Sequence, residues 1–220
     1  MKKRLTIAKY KENTSWVSSI STVDEILIYD KSTNIVKNYD DVVDGTTNIK
    51  YLYNIGRESH TYLTHIIKNY DSLFDVEIFA QGRISDHIRI DLFNDLINNT
   101  ESIENNGFQD FSPTRKYLCW NESDFDTVKS KYPNSIHVGV YENSHLGVYD
   151  ILYGDKPKKD IYVELGAHGI FAVTKNTILK HEKSKYIKML DFFNIKTRTD
   201  FELIHYAYVY EHFWKVIFTE

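Results

Sequence analysis

Residues 53–71, YNIGRESHTYLTHIIKNYD, put Gly56, Arg57, Glu58 and His60 where a β-like run gives way to a helical pattern. The start of a helix carries unpaired backbone N–H groups and the positive end of the helix dipole, a natural seat for a phosphate or another anion. Gly56 lets the chain turn and come close to a ligand. Arg57 can offer a two-pronged guanidinium to the same anion. The stretch also suits an ordinary helix start, with Glu58 complementing the dipole and Arg57 in water.

Other residues of the right type stand at similar places. Lys9, Tyr10, Lys11 and Glu12 follow the first apolar run, and Tyr29, Asp30 and Lys31 close the second. Asn54 precedes Gly56 after the third, and Gln81, Gly82, Arg83, Asp86 and His87 follow the fourth. In an open α/β sheet, ligands bind outside the carboxyl ends of the strands, so four such ends would form one polar rim. Asp86 and His87 are either a ligand pair for a metal or a surface pair. Further on, ELGAHGIFAVT flanks His168 with Gly166 and Gly169, and Glu164 or His168 could act as a base; a turn with an exposed histidine fits equally well. In the last helical pattern Ile204, Tyr208, Glu211, Trp214 and Phe218 share one face, which sets Glu211 against the core and calls for a cationic or helix-start partner.

The elements that must position these groups are legible as patterns. Strand candidates are 4–10, 25–31, 49–55, 75–81, 116–120, 136–142 and two within 160–174. The early ones are nearly continuous apolar runs, as in strands covered on both faces. Helices are expected over 14–22 behind Thr14, over 59–70 with an apolar stripe from Tyr62 to Tyr70, and over 123–131. One or two more are expected in 176–193, and a last one from Asp200, which could cap it, to about Phe218. The Asn-rich stretch 84–115 reads as part helix and part loop over one end of the sheet. Strand–helix alternation predicts right-handed βαβ units, a mainly parallel sheet and one domain over 1–220.

Composition narrows the function. Among 220 residues the formal net charge is −4, which gives no basic footprint for nucleic acid. A single cysteine, Cys119, excludes an internal disulfide framework and a cysteine-rich zinc site. No apolar run reaches transmembrane length and no signal peptide is apparent, so a cytoplasmic location is expected. The chain lacks a P-loop, Gly-x-Gly-x-x-Gly, His-Glu-x-x-His and Gly-x-Ser-x-Gly.

The stretch NIGRESHTYLTHIIKNYDSLFDVEIFAQG resembles the hallmark N-x-G-R-E-x-x-T-Y-L-x-H-I, Y-D-x-L, F-x-Q-G of a family of unknown function common in fungal and viral genomes. IAKYKENTSWV, IYDKS, ELGAHGIFAVTKNTI and YEHFWKVIF extend the likeness, in order, over nearly the whole chain. That family in turn looks like a compact GT-A glycosyltransferase. The resemblance implies a single-domain, Rossmann-like, mainly parallel mixed sheet flanked by helices. It also implies a nucleotide-diphosphate sugar donor and a glycan or glycoprotein acceptor. Asp30 matches an acidic strand end, and Asn54 and Gly56 match a turn before a helix. Gln81 and Arg83 stand where the Asp-x-Asp metal motif would be.

On that footing Lys9, Tyr10, Lys11, Asp30, Asn54, Gly56, Arg57, Glu58, Gln81 and Arg83 are the expected nucleotide-binding residues. Asp86, Glu164 and His168 are the expected catalytic ones. A departing diphosphate needs positive charge. Either Asp86 and His87 hold manganese or magnesium, or Arg83 and Arg57 take its place. The alternatives are a non-catalytic sugar- or nucleotide-binding relative, and a metal-dependent phosphoesterase built on Asp86, His87 and Glu58.

Overall fold

The computed structural model describes residues 1–111, 116–120, 147–154, 161–165 and 169–219, with the backbone path alone for 116–120 and 161–165. Seven strands make one mixed sheet in the order β3-β4-β2-β1-β5-β9-β6. They are β1 (Lys3–Lys9), β2 (Glu25–Asp30), β3 (Val42–Asp44), β4 (Ile49–Leu52), β5 (Val76–Gln81), β6 (Phe108–Asp110) and β9 (Phe171–Thr174). The central four, β4-β2-β1-β5, run parallel. The outer strands β3, β9 and β6 join antiparallel. A separate antiparallel ribbon pairs β7 (Lys116–Trp120) with β8 (Ile161–Leu165), so these two runs stand outside the main sheet. The result is the expected single α/β domain with a parallel core.

Burial explains the apolar runs. Leu5, Ile7, Val76, Ile78 and Phe79 are fully enclosed because helices cover both faces of the sheet. One face carries α2 (Ile90–Asn98) and α3 (Thr100–Asn106), whose Phe93, Ile97 and Ile103 pack with Leu5, Ile7, Val76 and Ile78. The other carries α1 (Arg57–Asn69), α5 (Lys183–Leu190) and α6 (Asp200–Thr219), with the short α4 (Lys175–Ile178) following β9. Tyr62 of α1 meets Trp214 of α6 at 5.9 Å between ring centres, and Phe171 of β9 meets Trp214 at 5.5 Å.

Several expectations change. The segment 14–22 forms only a 3-10 turn, Ser15–Ser19, and Thr14 makes no side-chain cap. Trp16 holds it to the sheet by donating to the Gly82 carbonyl at 2.8 Å and by edge-on contact with Phe93. Helix α6 is capped one residue earlier than expected. Thr199 Oγ1 accepts from the Glu202 N–H and Glu202 Oε2 accepts from the Thr199 N–H, a reciprocal capping box. Ile204 and Tyr208 face outward, 52% and 41% exposed, so the face that carries Trp214 and Phe218 does not include them. The region 84–111 supplies α2, α3 and the edge strand β6, and lies over a face of the sheet as well as its end. The helix expected over 123–131 and the strand expected over 136–142 lie outside the described residues, as does His168.

Helix α1 differs most from its pattern. Every residue from Glu58 to Ile67 is buried, including Ser59, His60, Thr61, Thr64 and His65. Its polar side is turned to protein and satisfied there in large part. Ser59 donates to the Ala207 carbonyl at 3.0 Å, His60 Nε2 donates to the Tyr39 carbonyl at 2.6 Å, and Thr64 donates back to the His60 carbonyl at 2.7 Å.

Candidate functional site

The strand register brings the polar ends level. Lys9 of β1 lies opposite Asp30 of β2, and Ala8 lies opposite Gln81 of β5. Around this edge opens a cavity of about 730 Å³. Its wall comes from all four parallel strand ends: Lys9, Tyr10 and Glu12 after β1, Lys31 after β2, Asn54 to Glu58 after β4, and Gln81 to Arg83 with Asp86 and His87 after β5. Ile204 of α6 closes the remaining side.

Sharp backbone geometry at the α1 start gives this wall its shape. Gly56, just before the helix, has φ +59°, and a Cβ there would stand 2.5 Å from the Phe193 ring, so only glycine fits. Arg57 follows with φ +47°, a left-handed conformation that a long side chain adopts at a cost. Lys31 holds the turn from inside. Its ammonium donates to the Ile55 carbonyl at 2.7 Å and, at close range, to the Arg57 carbonyl. Lys31 is 4% exposed, and burial pushes its ammonium down to about 7 while Glu58's charge works the other way. At Gly82 the fit is less tight, since an added Cβ would meet Glu12 Oε2 at 2.9 Å and the Ala8 carbonyl at 3.3 Å.

Three ionised or ionisable groups meet at the mouth of α1. Arg57 Nε lies 3.6 Å from Glu58 Oε2 and 4.0 Å from Glu211 Oε1, with its guanidinium 4.8 Å over the Tyr208 ring. Burial works against the arginine's charge, but Glu58, Glu211 and Tyr208 outweigh it and hold its pKa above the ordinary value. Glu211, the carboxyl expected against the core, has thus found the cation it needed. Burial first, then Glu58's charge, pushes the Glu211 carboxyl well up, and Arg57 only partly opposes this. Glu58 is 6% exposed, and Glu58 Oε1 and Glu211 Oε1 have no hydrogen-bond partner among the described residues.

The other expected residues fall into place around this wall. Asp30 does not line the cavity. Burial tends to raise its carboxyl, yet bonds from the Lys9 ammonium and the Ser32 N–H outweigh that and hold it below its ordinary value, so it positions Lys9 at the rim. Lys11 also lies off the cavity, its ammonium 4.9 Å from the Tyr10 ring. His60 is enclosed behind Gly56, 5.7 Å from Phe193 between ring centres, and packs there instead of facing the rim. Glu164 is described as a position on β8.

Asp86 and His87 both reach the cavity. Asp86 lies 3.8 Å from Arg83, and His87 Nε2 is 3.1 Å from Gln81 Oε1. Among the described residues no three His, Cys, Asp or Glu side chains gather as a metal cage. Lys31 and Glu12, expected on the rim but not among the nucleotide-binding residues, both line the cavity. The signal for Lys31 was its place directly after Asp30 in IYDKS.

The architecture is an α/β sheet with a parallel core and one polar cavity across four strand ends. Residues 5–220 match the family described as "Protein of unknown function (DUF3431)", and the chain belongs to that family. No curated protein matches the chain. Among the described residues no helix is long and apolar enough to cross a membrane.

Proposed function

We propose that the protein is a compact GT-A-like glycosyltransferase that takes a nucleotide-diphosphate sugar as donor and a glycan or glycoprotein as acceptor. The observation that carries this reading is the convergence of Lys9, Arg57 and Arg83 on one cavity at the carboxyl edge of a parallel sheet. Those three cations suit a diphosphate, the helix start adds its dipole, and Asn54 and Gln81 offer amides to the nucleoside or sugar.

In this mechanism the diphosphate leaves as its sugar passes to the acceptor hydroxyl. Arg57 and Arg83 offset the charge that builds on the leaving group. A divalent ion on Asp86 and His87 would add Lewis-acid stabilisation when bound. Glu164 and His168 are the candidates to take the acceptor's proton. Cytoplasmic location belongs to the same proposal.

Titration calorimetry with UDP- and GDP-sugars tests the donor, first with manganese and then with chelator. Binding that strengthens with manganese and loses that gain in Asp86→Ala assigns the metal to Asp86. Equal affinity with manganese and chelator, with a large loss in Arg83→Ala, assigns the charge to the arginines. Binding without turnover on any acceptor favours the non-catalytic relative, which the Gln81–His87 contact in place of two aspartates also suits. Failure of every nucleotide sugar and nucleoside diphosphate to bind overturns the proposal.

A further inference from the structure

Glu58 is an unusual residue to leave inside a cavity meant for phosphates. It is enclosed, it lines the cavity, and Glu58 Oε1 has no partner among the described residues. Beside it the chain is bare. Gly169, at φ +60°, carries no side chain where an added Cβ would stand 3.1 Å from Glu58 Cγ, 3.5 Å from Glu58 Oε1 and 3.6 Å from Gln81 Nε2. The Gly169 carbonyl is tied back by the Tyr62 hydroxyl at 2.6 Å, which fixes this bare stretch in position. Glu211 completes the group across Arg57.

Two enclosed carboxyls stand beside one guanidinium, and Glu211 keeps its proton. Burial and the charge of Glu58 act on Glu211 in that direction. The Glu211 carboxyl spends its proton on a hydrogen bond to Glu58, which leaves carboxylate lone pairs of Glu58 facing the cavity as acceptors. An acceptor so placed suits a hydroxyl, which has a hydrogen to give, and not a carboxylate, which has none. An acidic group brought against Glu58 would meet that carboxylate's negative charge at close range.

We propose that the wall formed by Glu58, Glu211 and the bare Gly169 backbone is a subsite for an uncharged, hydroxyl-bearing group, and that it makes the protein select neutral sugars over uronic-acid sugars. This rests on the nucleotide-sugar reading and adds to it the class of sugar.

The test compares UDP-glucose with UDP-glucuronate, and GDP-mannose with GDP-mannuronate, each against its parent nucleoside diphosphate. In the unaltered protein the neutral donor should bind about tenfold tighter than its acidic counterpart, or more. Glu58→Gln should bring the two within about threefold, chiefly by letting the acidic donor bind better. Glu211→Gln carries the same test if Glu58→Gln does not fold, with a smaller narrowing. Binding of the parent diphosphate together with equal affinity for neutral and acidic donors would overturn the subsite and leave the nucleotide-sugar reading intact. An unchanged preference in both folded variants would do the same. No binding of any diphosphate would overturn both.

Discussion

The two ends of α1 hold buried charge in opposite ways. At its carboxyl end, over the first residues of β1 and β5, every oxygen of the fully enclosed Glu77 has a partner. Arg4 Nη1 is 3.3 Å from Glu77 Oε1, the Phe74 N–H donates to the same oxygen at 2.9 Å, and His65 Nε2 donates to Glu77 Oε2 at 3.1 Å. Thr6 and Tyr29 close the circle on His65, at 3.2 Å each. At its amino end Glu58 and Glu211 share one arginine and each keeps an oxygen unpaired among the described residues. A closed polar cluster holds a fold together, whereas an open one costs stability and is kept where a ligand completes it. The cavity lies at the open end.

Breaking the closed end should have the largest effect. Glu77→Ala leaves Arg4 and the Phe74 N–H without their buried partner, and chemical denaturation should show a loss of about 3–5 kcal/mol. A loss below about 1 kcal/mol would mean the cluster is not structural and would end the contrast. At the open end the effect belongs to binding. Arg57→Ala should weaken nucleotide-sugar affinity by about 1.5–3 kcal/mol, read by calorimetry on a folded variant. Unchanged affinity would remove Arg57 from the site.

Lys31 tests how the open end is held. Lys31→Met orphans the carbonyls of Ile55 and Arg57, so it should cost about 1–2 kcal/mol of stability and also loosen the donor wall. Stability without change, paired with intact binding, would show that the turn stands unaided. The pH dependence separates Lys31 from Glu211. The lysine's pKa is lowered on folding, from 10.5 to about 7, so its contribution is full above 10.5 and is lost as pH falls to about 7. Glu211 is raised above its ordinary 4.5, so its contribution is full below 4.5 and is lost as pH rises through the higher folded value.

The smallest effect sharpens the comparison most. Glu211→Gln removes an enclosed acid that no partner satisfies fully, and should leave stability at neutral pH unchanged or raise it by about 0.5–1 kcal/mol. It should also flatten the fall in melting temperature as pH rises from 4.5 towards about 10. A clear loss of stability at neutral pH would place Glu211 among the structural residues with Glu77.

The parallel core was legible because strands covered on both faces leave nearly continuous apolar runs, as in 25–31 and 75–81. The strands β3 and β6 were not, since three residues each are too few to show a period. The apolar stripe of α1 was legible, but the partners of its polar side were not, because sequence gives residue types alone; Ser59, His60 and His65 find theirs inside the protein. Glycines and charges at strand ends made the rim readable from Asn54 to Glu58 and from Gln81 to His87. Glu211 was flagged by its position on a mostly apolar helix, but its meeting with Glu58 depends on how α6 crosses α1, which no local pattern contains.

That crossing also bears on how the protein is made. Tyr62, Leu63 and Ile66 of α1 and Phe171 of β9 share their core with Tyr210, Phe213, Trp214 and Phe218 of α6. On the ribosome these earlier residues emerge first and stay without their covering until residues 200–219 follow. Between the emergence of α1 and that of α6 the nascent chain therefore carries an uncovered apolar face, a natural target for a holding chaperone, and compaction of that face waits for α6.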